Sequence, residues 1–336
     1  MKLYTKLLCA ALLSVVVLSF FTGISCTLNP QGIHILNGDY TSPKLLSFDL
    51  LSENSASVRF SRSIILDEIQ VENLTMKTNV DIEATDNGNG IWQINFTENM
   101  DCANFYTLEG NVKDEHGNSL YFKNKFQGYN SRVPQLQLNE IRTELSKPKC
   151  EFIELLILSD GNLGGMQIIT ASDGEEKSII LPPAEVKKGE FVVIHMRKLE
   201  EDCVNELDEN TLISGGTESG AHRDLWIDNT SARIAKSDII IVKDRFDGNI
   251  VDALIFRESS CQNWKNEYMN KCAQEVFQSG IWQGADEESA VCSDGLTVTR
   301  TLCRQDDSHS KNSWIVVATG KYSPGKENSK EPYVAK

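Results

Sequence analysis

Residues 106–126 read YTLEGNVKDEHGNSLYFKNKF. Tyr106–Val112 and Leu120–Phe126 are short apolar or alternating runs of the kind that form half-buried strands. Asp114-Glu-His-Gly-Asn118 between them supplies residues that tolerate the positive φ of a hairpin turn. Upstream, Leu45–Leu50, Ala56–Phe60, Val80–Ala84 and Ile91–Phe96 read the same way, with a second turn at Asp86-Asn-Gly-Asn-Gly90. Six or seven short strands joined by such turns predict a β-sandwich over residues 43–128.

Downstream, the polar stretch at residues 129–134 ends in Pro134, which pushes its predecessor toward extended geometry, and reads as a linker. A second β-rich body follows over residues 135–325. Its strand candidates are Leu136–Ile141, Phe152–Leu158, Met166–Thr170, Glu190–His195, Ile239–Val242, Ile250–Phe256 and Trp314–Ala318. Trp264, Tyr268, Cys272 and Val276 recur every four residues, which predicts one helix with a core-facing stripe. Residues 326–336 read as a flexible tail. The chain has 336 residues, suited to about two domains, and a net charge of -15. So acidic a balance argues against sequence-independent nucleic-acid binding and against attraction to anionic membrane surfaces.

The first 25 residues read as an export signal. Lys2 and Lys6 precede the apolar run Leu7–Phe21, and Gly23 and Ser25 fit a small-x-small cleavage pattern. Cys26 directly afterwards resembles the cysteine of a bacterial lipobox, which is diacylated and becomes residue one. Plain secretion and an uncleaved anchor helix are the other two readings of the same stretch. Two acyl chains give stable anchoring, and residues 26–42 then form a lipidated tether. Removing Lys2 and Lys6 leaves the mature chain at -17.

Phe60-Ser61-Arg62 and Leu108-Glu-Gly-Asn-Val112 resemble bacterial immunoglobulin-like (Ig-like) modules. Leu138-Asn-Glu-Ile141, Glu151-Phe-Ile-Glu-Leu155 and Leu163-Gly-Gly-Met166 resemble the opening of a lamin-tail domain. Leu181-Pro-Pro, Lys188–Ile194, Asp238–Val242, Asp247–Asp252, Thr301–Arg304 with Trp314, and Ser323-Pro-Gly325 continue that family's order. The resemblance implies an all-β chain of two Ig-like sandwiches in tandem. It also implies that residues of about 195–237 and 257–298 are insertions, the second helical and both containing cysteines. The whole arrangement is similar to spirochaete-type envelope lipoproteins.

Of nine cysteines, Cys9 lies in the signal, Cys26 at the lipid position and Cys102 in the first domain. Cys150, Cys203, Cys261, Cys272, Cys292 and Cys303 share the second, and export makes up to three disulfides the expected reading. Buried free thiols are an alternative, as is zinc on Cys261, Cys272, Cys292 and Cys303, although these lack the close C-x2-C pairs of structural zinc sites.

No catalytic constellation stands out. Ser219-Gly-Ala-His222-Arg-Asp224 holds nucleophile, base and acid types but lacks the strand-turn-helix frame that presents a serine. Asp306, Asp307 and His309 are weak metal candidates in a loop with no spaced partner motif, and a solvated loop is the preferred reading. Asp244–Asn249 has no calcium-loop spacing, and Glu200–Glu209, with six acids, reads as a solvated face.

These readings together predict a non-enzymatic, lipid-anchored envelope protein with a binding, adhesive or structural role and no cofactor. Its partners are the membrane, through the anchor, and a protein or other macromolecular ligand, with the enlarged loops at 199–228 and 260–294 as the binding surface. The rival expectations are an accessory or divergent metal-dependent hydrolase using Asp306, Asp307 and His309, and a calcium-dependent adhesin.

Overall fold

The computed structural model describes residues 39–143, 150–174, 178–216, 222–228, 234–284, 289–295, 300–318 and 320–334. The export signal at 1–25, Cys26 and the tether to residue 38 lie outside the described residues, as does Ser219. The described chain is nearly all β, arranged around two hydrophobic cores.

The first core lies between two antiparallel sheets. One runs β1-β2-β6-β5, from β1 (Leu45–Ser52), β2 (Ser55–Phe60), β5 (Ile82–Asp86) and β6 (Ile91–Phe96). The other runs β4-β3-β7-β8, from β3 (Ile65–Asn73), β4 (Thr78–Val80), β7 (Phe105–Lys113) and β8 (Ser119–Gln127). Alternate residues face inward, as the pleat requires: Ala56, Val58 and Phe60 on β2 meet Tyr106, Leu108 and Val112 on β7 with Phe122 and Phe126 on β8. β3 is missing from the strands expected above. Asp67 and Glu68 interrupt its apolar alternation, and a bulge between Leu66 and Glu68 restores its register against β7.

The second core also lies between two sheets. A six-stranded sheet runs β16-β15-β10-β9-β20-β21, from β9 (Leu136–Arg142), β10 (Phe152–Ile157), β15 (Phe191–His195), β16 (Arg223–Trp226), β20 (Thr301–Arg304) and β21 (Trp314–Val317). A five-stranded sheet runs β13-β12-β17-β18-β19, from β12 (Gln167–Thr170), β13 (Ile179–Ile180), β17 (Asp238–Lys243), β18 (Ile250–Arg257) and β19 (Val291–Cys292). β11 (Gly161–Asn162) and β14 (Glu185–Val186) make a separate pair. Ile239, Ile240, Ile241 and Val242 are all fully buried. A continuous β-branched run suits a strand covered on both faces, and the expected helix supplies one cover for β17. That helix, α1 (Glu267–Gln278), buries Met269, Cys272, Ala273 and Val276. Asn266 caps it, its side chain accepting from the Met269 amide, and Lys243 reaches Glu275 across the contact at 2.5 Å.

Two expectations are corrected. The first insertion is no mere loop, since it contributes β16 to the sheet. Nor are residues 326–334 a loose tail: Asn328 donates to the carbonyls of Asn139 and Arg304, and the Tyr333 amide donates to Val316. The chain is strapped back over β9 because buried acceptors there need donors.

Close contacts join the two cores. Asn130 donates to the carbonyls of Asn162 and Gly164, and the Phe246 amide donates to Gln127 Oε1, all at 2.8 Å. Phe246 meets Phe105 edge-on at 5.2 Å. Gly165 sits at φ +84°, where a Cβ would fall 2.4 Å from the Cys102 carbonyl, so only glycine allows this approach.

Candidate functional site

The strand β15, Phe191-Val-Val-Ile-His195, is β-branched at its centre and pairs antiparallel with β10, placing Phe152 opposite His195. On its other edge β16 pairs parallel, with Asp224 opposite Val193 and Trp226 opposite His195. Residues two apart along extended chain share a face, so His222 and Asp224 project together beside His195. His195 Nε2 lies 2.6 Å from Asp224 Oδ1, and His222 Nε2 lies 3.1 Å from the same oxygen. The other nitrogen of His195, Nδ1, faces Cys150 Sγ at 3.6 Å. Trp226 stacks on the His195 ring at 3.9 Å with an interplanar angle of 11°.

A buried polar scaffold holds this group. Glu206, fully buried, accepts from the amides of Ile213, Ser214 and Asp224. Glu206 is thus the anchor of its insert, the one buried acid in a Glu200–Glu209 run whose other five acids are solvent-exposed as expected. Arg223 donates to Glu190 at 2.7 Å and to the carbonyls of Glu206, Asp208 and Glu185. Trp226 Nε1 donates to Ser214 Oγ at 2.8 Å. Gly216, at φ +71°, closes over Cys203, where a Cβ would lie 2.6 Å from Sγ.

Burial lowers the pKa of His195, although the hydrogen bond to Asp224 works against the shift, so the imidazole is held neutral. Burial raises that of Asp224, but the bonds from His195 and His222 outweigh it and keep the carboxyl below its ordinary range. The contact is therefore a hydrogen bond between a neutral ring and a carboxylate.

Cys150, His195 and Asp224 present nucleophile, base and acid types in line, a constellation invisible in sequence because 74 positions separate its ends. The thiol decides against that chemistry. Cys150 is buried, and desolvation, reinforced by Glu151, pushes its pKa up to about 12. A thiol rather than a thiolate faces the histidine, and the thiolate is the nucleophile. Cys150 is accordingly expected to resist iodoacetamide at pH 7.5 in the native protein and to react fully in 6 M guanidinium, with mass spectrometry as the readout. Alkylation of the native protein within minutes would reverse this assignment.

The other sequence candidates are dispersed. Cys102, Cys150, Cys203, Cys261, Cys272, Cys292 and Cys303 are all free thiols, which corrects the expected disulfides. The physical reason is placement. Cys272 lies on the buried face of α1, Cys303 on β20, Cys292 exposed on β19, and Cys261 in a loop with its thiol directed at the Asn263 carbonyl. Cys150 and Cys203 alone share a cluster, with Trp226. Asp306 accepts from the Ser308 amide and hydroxyl, whereas His309 lies 3.2 Å from Asp252, so with Asp307 they are not brought to one point. Among the described residues, the group of three ligating side chains that converges is His195, His222 and Asp224. The signal for it was the His222-Arg-Asp224 spacing, two apart where the chain enters β16.

Residues 134–316, more than half of the chain, match the family described as TP_1001_2nd, protein second domain. The chain belongs to the TP_1001_2nd family. The family match takes in the whole of the histidine and cysteine cluster. An uncharacterised protein of Treponema pallidum (strain Nichols) is 26% identical over 202 residues, covering 58% of this chain and 51% of that protein. The chain thus spans about half the length of the curated relative it matches. Among solved structures, the N-terminal part of the bacterial S-layer protein SbsC aligns with a TM-score of 0.26 and 14% identity, over 45% of this chain and 37% of that one. Domains 1–6 of SbsC align with a TM-score of 0.26 and 9% identity, over 63% and 40%. Those likenesses are too slight to argue from.

Proposed function

We propose that this TP_1001_2nd family member is a non-enzymatic envelope protein, exported and lipid-anchored through Cys26, that holds two β-sandwich domains away from a membrane for a binding or structural role. The observation that carries the reading is the export segment ending in Gly23-Ile-Ser-Cys26, placed ahead of a body built from two β cores. The division into domains at residues 129–134 is part of the proposal. The first sheet pair supports an Ig-type assignment. Its orders β1-β2-β6-β5 and β4-β3-β7-β8 follow the ABED and CFG sheets of that sandwich with one short strand added. The lamin-tail reading of residues 135–325 rests on its ordered motifs, and the Treponema relative is in keeping with a spirochaete-type lipoprotein.

For the binding face, the structure favours the first insert. Val204, Leu207, Leu212 and Ile213 are exposed on the segment that Glu206 fixes, with Leu212 at 75%. Apolar side chains displayed on a rigid support are where recognition concentrates. The anchor is tested by expression with radiolabelled palmitate followed by detergent phase partition. Wild-type protein is expected to carry label and enter the detergent phase, and Cys26→Ser to lose both. Label or detergent partition retained by Cys26→Ser overturns the proposal.

A further inference from the structure

We propose that His195 Nε2, His222 Nε2 and the Asp224 carboxylate form a site for one divalent transition ion of the zinc class. The inference is independent of how the chain is anchored. It begins from the side chains themselves, whose ligating atoms all lie within 4.8 Å of one another. Two imidazole nitrogens are aimed at a single carboxylate oxygen, at 2.6 and 3.1 Å. A tetrahedral ion with ligands at about 2.0–2.2 Å holds its donor atoms only slightly farther apart than that.

A second observation points to a ligand. Asp224 Oδ2 is buried with no hydrogen-bond partner among the described residues, in a side chain only 1% exposed. A buried carboxylate oxygen left without a donor is costly, and a cation shared with the two rings satisfies it.

The surroundings suit the metal-bound form. For His195 to ligate through Nε2 its proton must sit on Nδ1, and Nδ1 faces Cys150 Sγ at 3.6 Å, a soft acceptor that orients the ring from behind. In the metal-free form the same pair reverses: the protonated thiol donates to Nδ1, and Nε2–H donates to Asp224. Trp226 closes one face of the His195 ring, which keeps the site dry. Glu206, whose carboxyl accepts from the Asp224 amide, fixes the backbone that carries this ligand. Two imidazoles with one carboxylate select zinc-like ions over calcium or magnesium, which demand six or more oxygens. Three protein donors leave a fourth position for water or for the second oxygen of Asp224.

The test uses the full-length protein in detergent, stripped with chelator and titrated with Zn2+ in a calorimeter, with Co2+ as a spectroscopic substitute. One equivalent is expected to bind. Loss of an orienting partner typically weakens metal binding about 10–100-fold, so Asp224→Asn and His222→Ala are each expected to weaken it by at least about 100-fold. Asp307→Asn is expected to bind as wild type. Should the ligand variants misfold, X-ray absorption on the wild-type zinc complex still decides. The expected shell is nitrogen and oxygen with two imidazoles, and a sulfur-dominated shell refutes this ligand set. Absence of stoichiometric binding, or affinity within about threefold of wild type in both ligand variants, also overturns it.

Discussion

Asp252→Ala is expected to destabilise the protein by about 3–5 kcal/mol, the usual cost of removing one member of a buried ion pair. Asp252 lies on β18 and is fully buried. Its Oδ2 accepts from Arg304 Nη2 and from the Leu138 amide, both at 2.6 Å, and its Oδ1 accepts from the Ala253 amide. Arg304 in turn donates through Nε to the Leu138 carbonyl at 2.6 Å and lies over the Trp314 ring. One carboxylate thus pins the five-stranded sheet to β9 and β20 of the six-stranded sheet. Without it, a guanidinium only 2% exposed is left in the interior with no counter-charge at that position. Urea unfolding followed by tryptophan fluorescence measures the loss. Adding Arg304→Met to the variant is expected to recover much of it, since the stranded charge rather than the missing contact carries most of the cost. A loss below about 1 kcal/mol in the single variant would mean that water reaches Arg304 and the pin is not closed.

Stability is expected to fall as pH rises from about 5 to 8, opposite to the common acid-labile pattern. Glu140 accepts from the Ser323 amide and hydroxyl, and Glu154 accepts from the Gly325 amide and from Asn139. Desolvation dominates at both, pushing Glu140 up to about 7 and Glu154 up to about 8 despite these bonds. Asp238 is driven up to about 6 by the same cause. A carboxyl whose folded pKa exceeds its unfolded value binds a proton that the unfolded chain has released. Its contribution is therefore intact below about pH 4.5 and is lost as pH climbs through the folded values. At most, Glu140 is worth about 3 kcal/mol and Glu154 about 5 kcal/mol between their unfolded and folded values. Carboxyls with depressed pKa, such as Asp39 and Glu109 at about 2, act in the opposite sense but only below about pH 4, and both sit at the surface, Asp39 exposed and Glu109 partly covered. Urea midpoints at pH 5 and pH 8.5 provide the comparison. Glu154→Gln, which cannot ionise, is expected to flatten the profile. Equal midpoints in the wild type at the two pH values would show that solvent reaches both carboxyls.

Much of the architecture was written in local patterns. The hairpin at 106–126 forms as its alternation and turn residues dictate, and the four-residue stripe from Trp264 to Val276 becomes the buried side of α1 and its approach. What escaped were strands whose pattern is set by partners instead of by their own side chains. β3 needs a bulge to keep register across Asp67 and Glu68. β16, Arg-Asp-Leu-Trp, reads as a charged loop until Glu206, Glu190 and the edge of β15 are placed around it. The candidate site shares that difficulty. Cys150, His195 and the His222–Asp224 pair come from three separated segments, and only the parallel pairing of β15 with β16 brings them together.

The six-stranded sheet is completed from the end of the chain backward. β20 occupies the second side of β9, and the amides of Ser323 and Gly325 cover the carboxylates of β9 and β10. Whether delivered from a ribosome or threaded through a pore, a chain arriving amino end first keeps the edge of β9 open and two acids uncapped until residues beyond 300 emerge. The sheets of residues 45–127 have no such dependence and can close early. Completion of the second body therefore waits on the arrival of β20 and of the Ser323 and Gly325 amides. A product truncated before β20 leaves the edge of β9 unpaired, a ready template for pairing with another chain, so the same strand that finishes the sheet also closes its most adhesive edge.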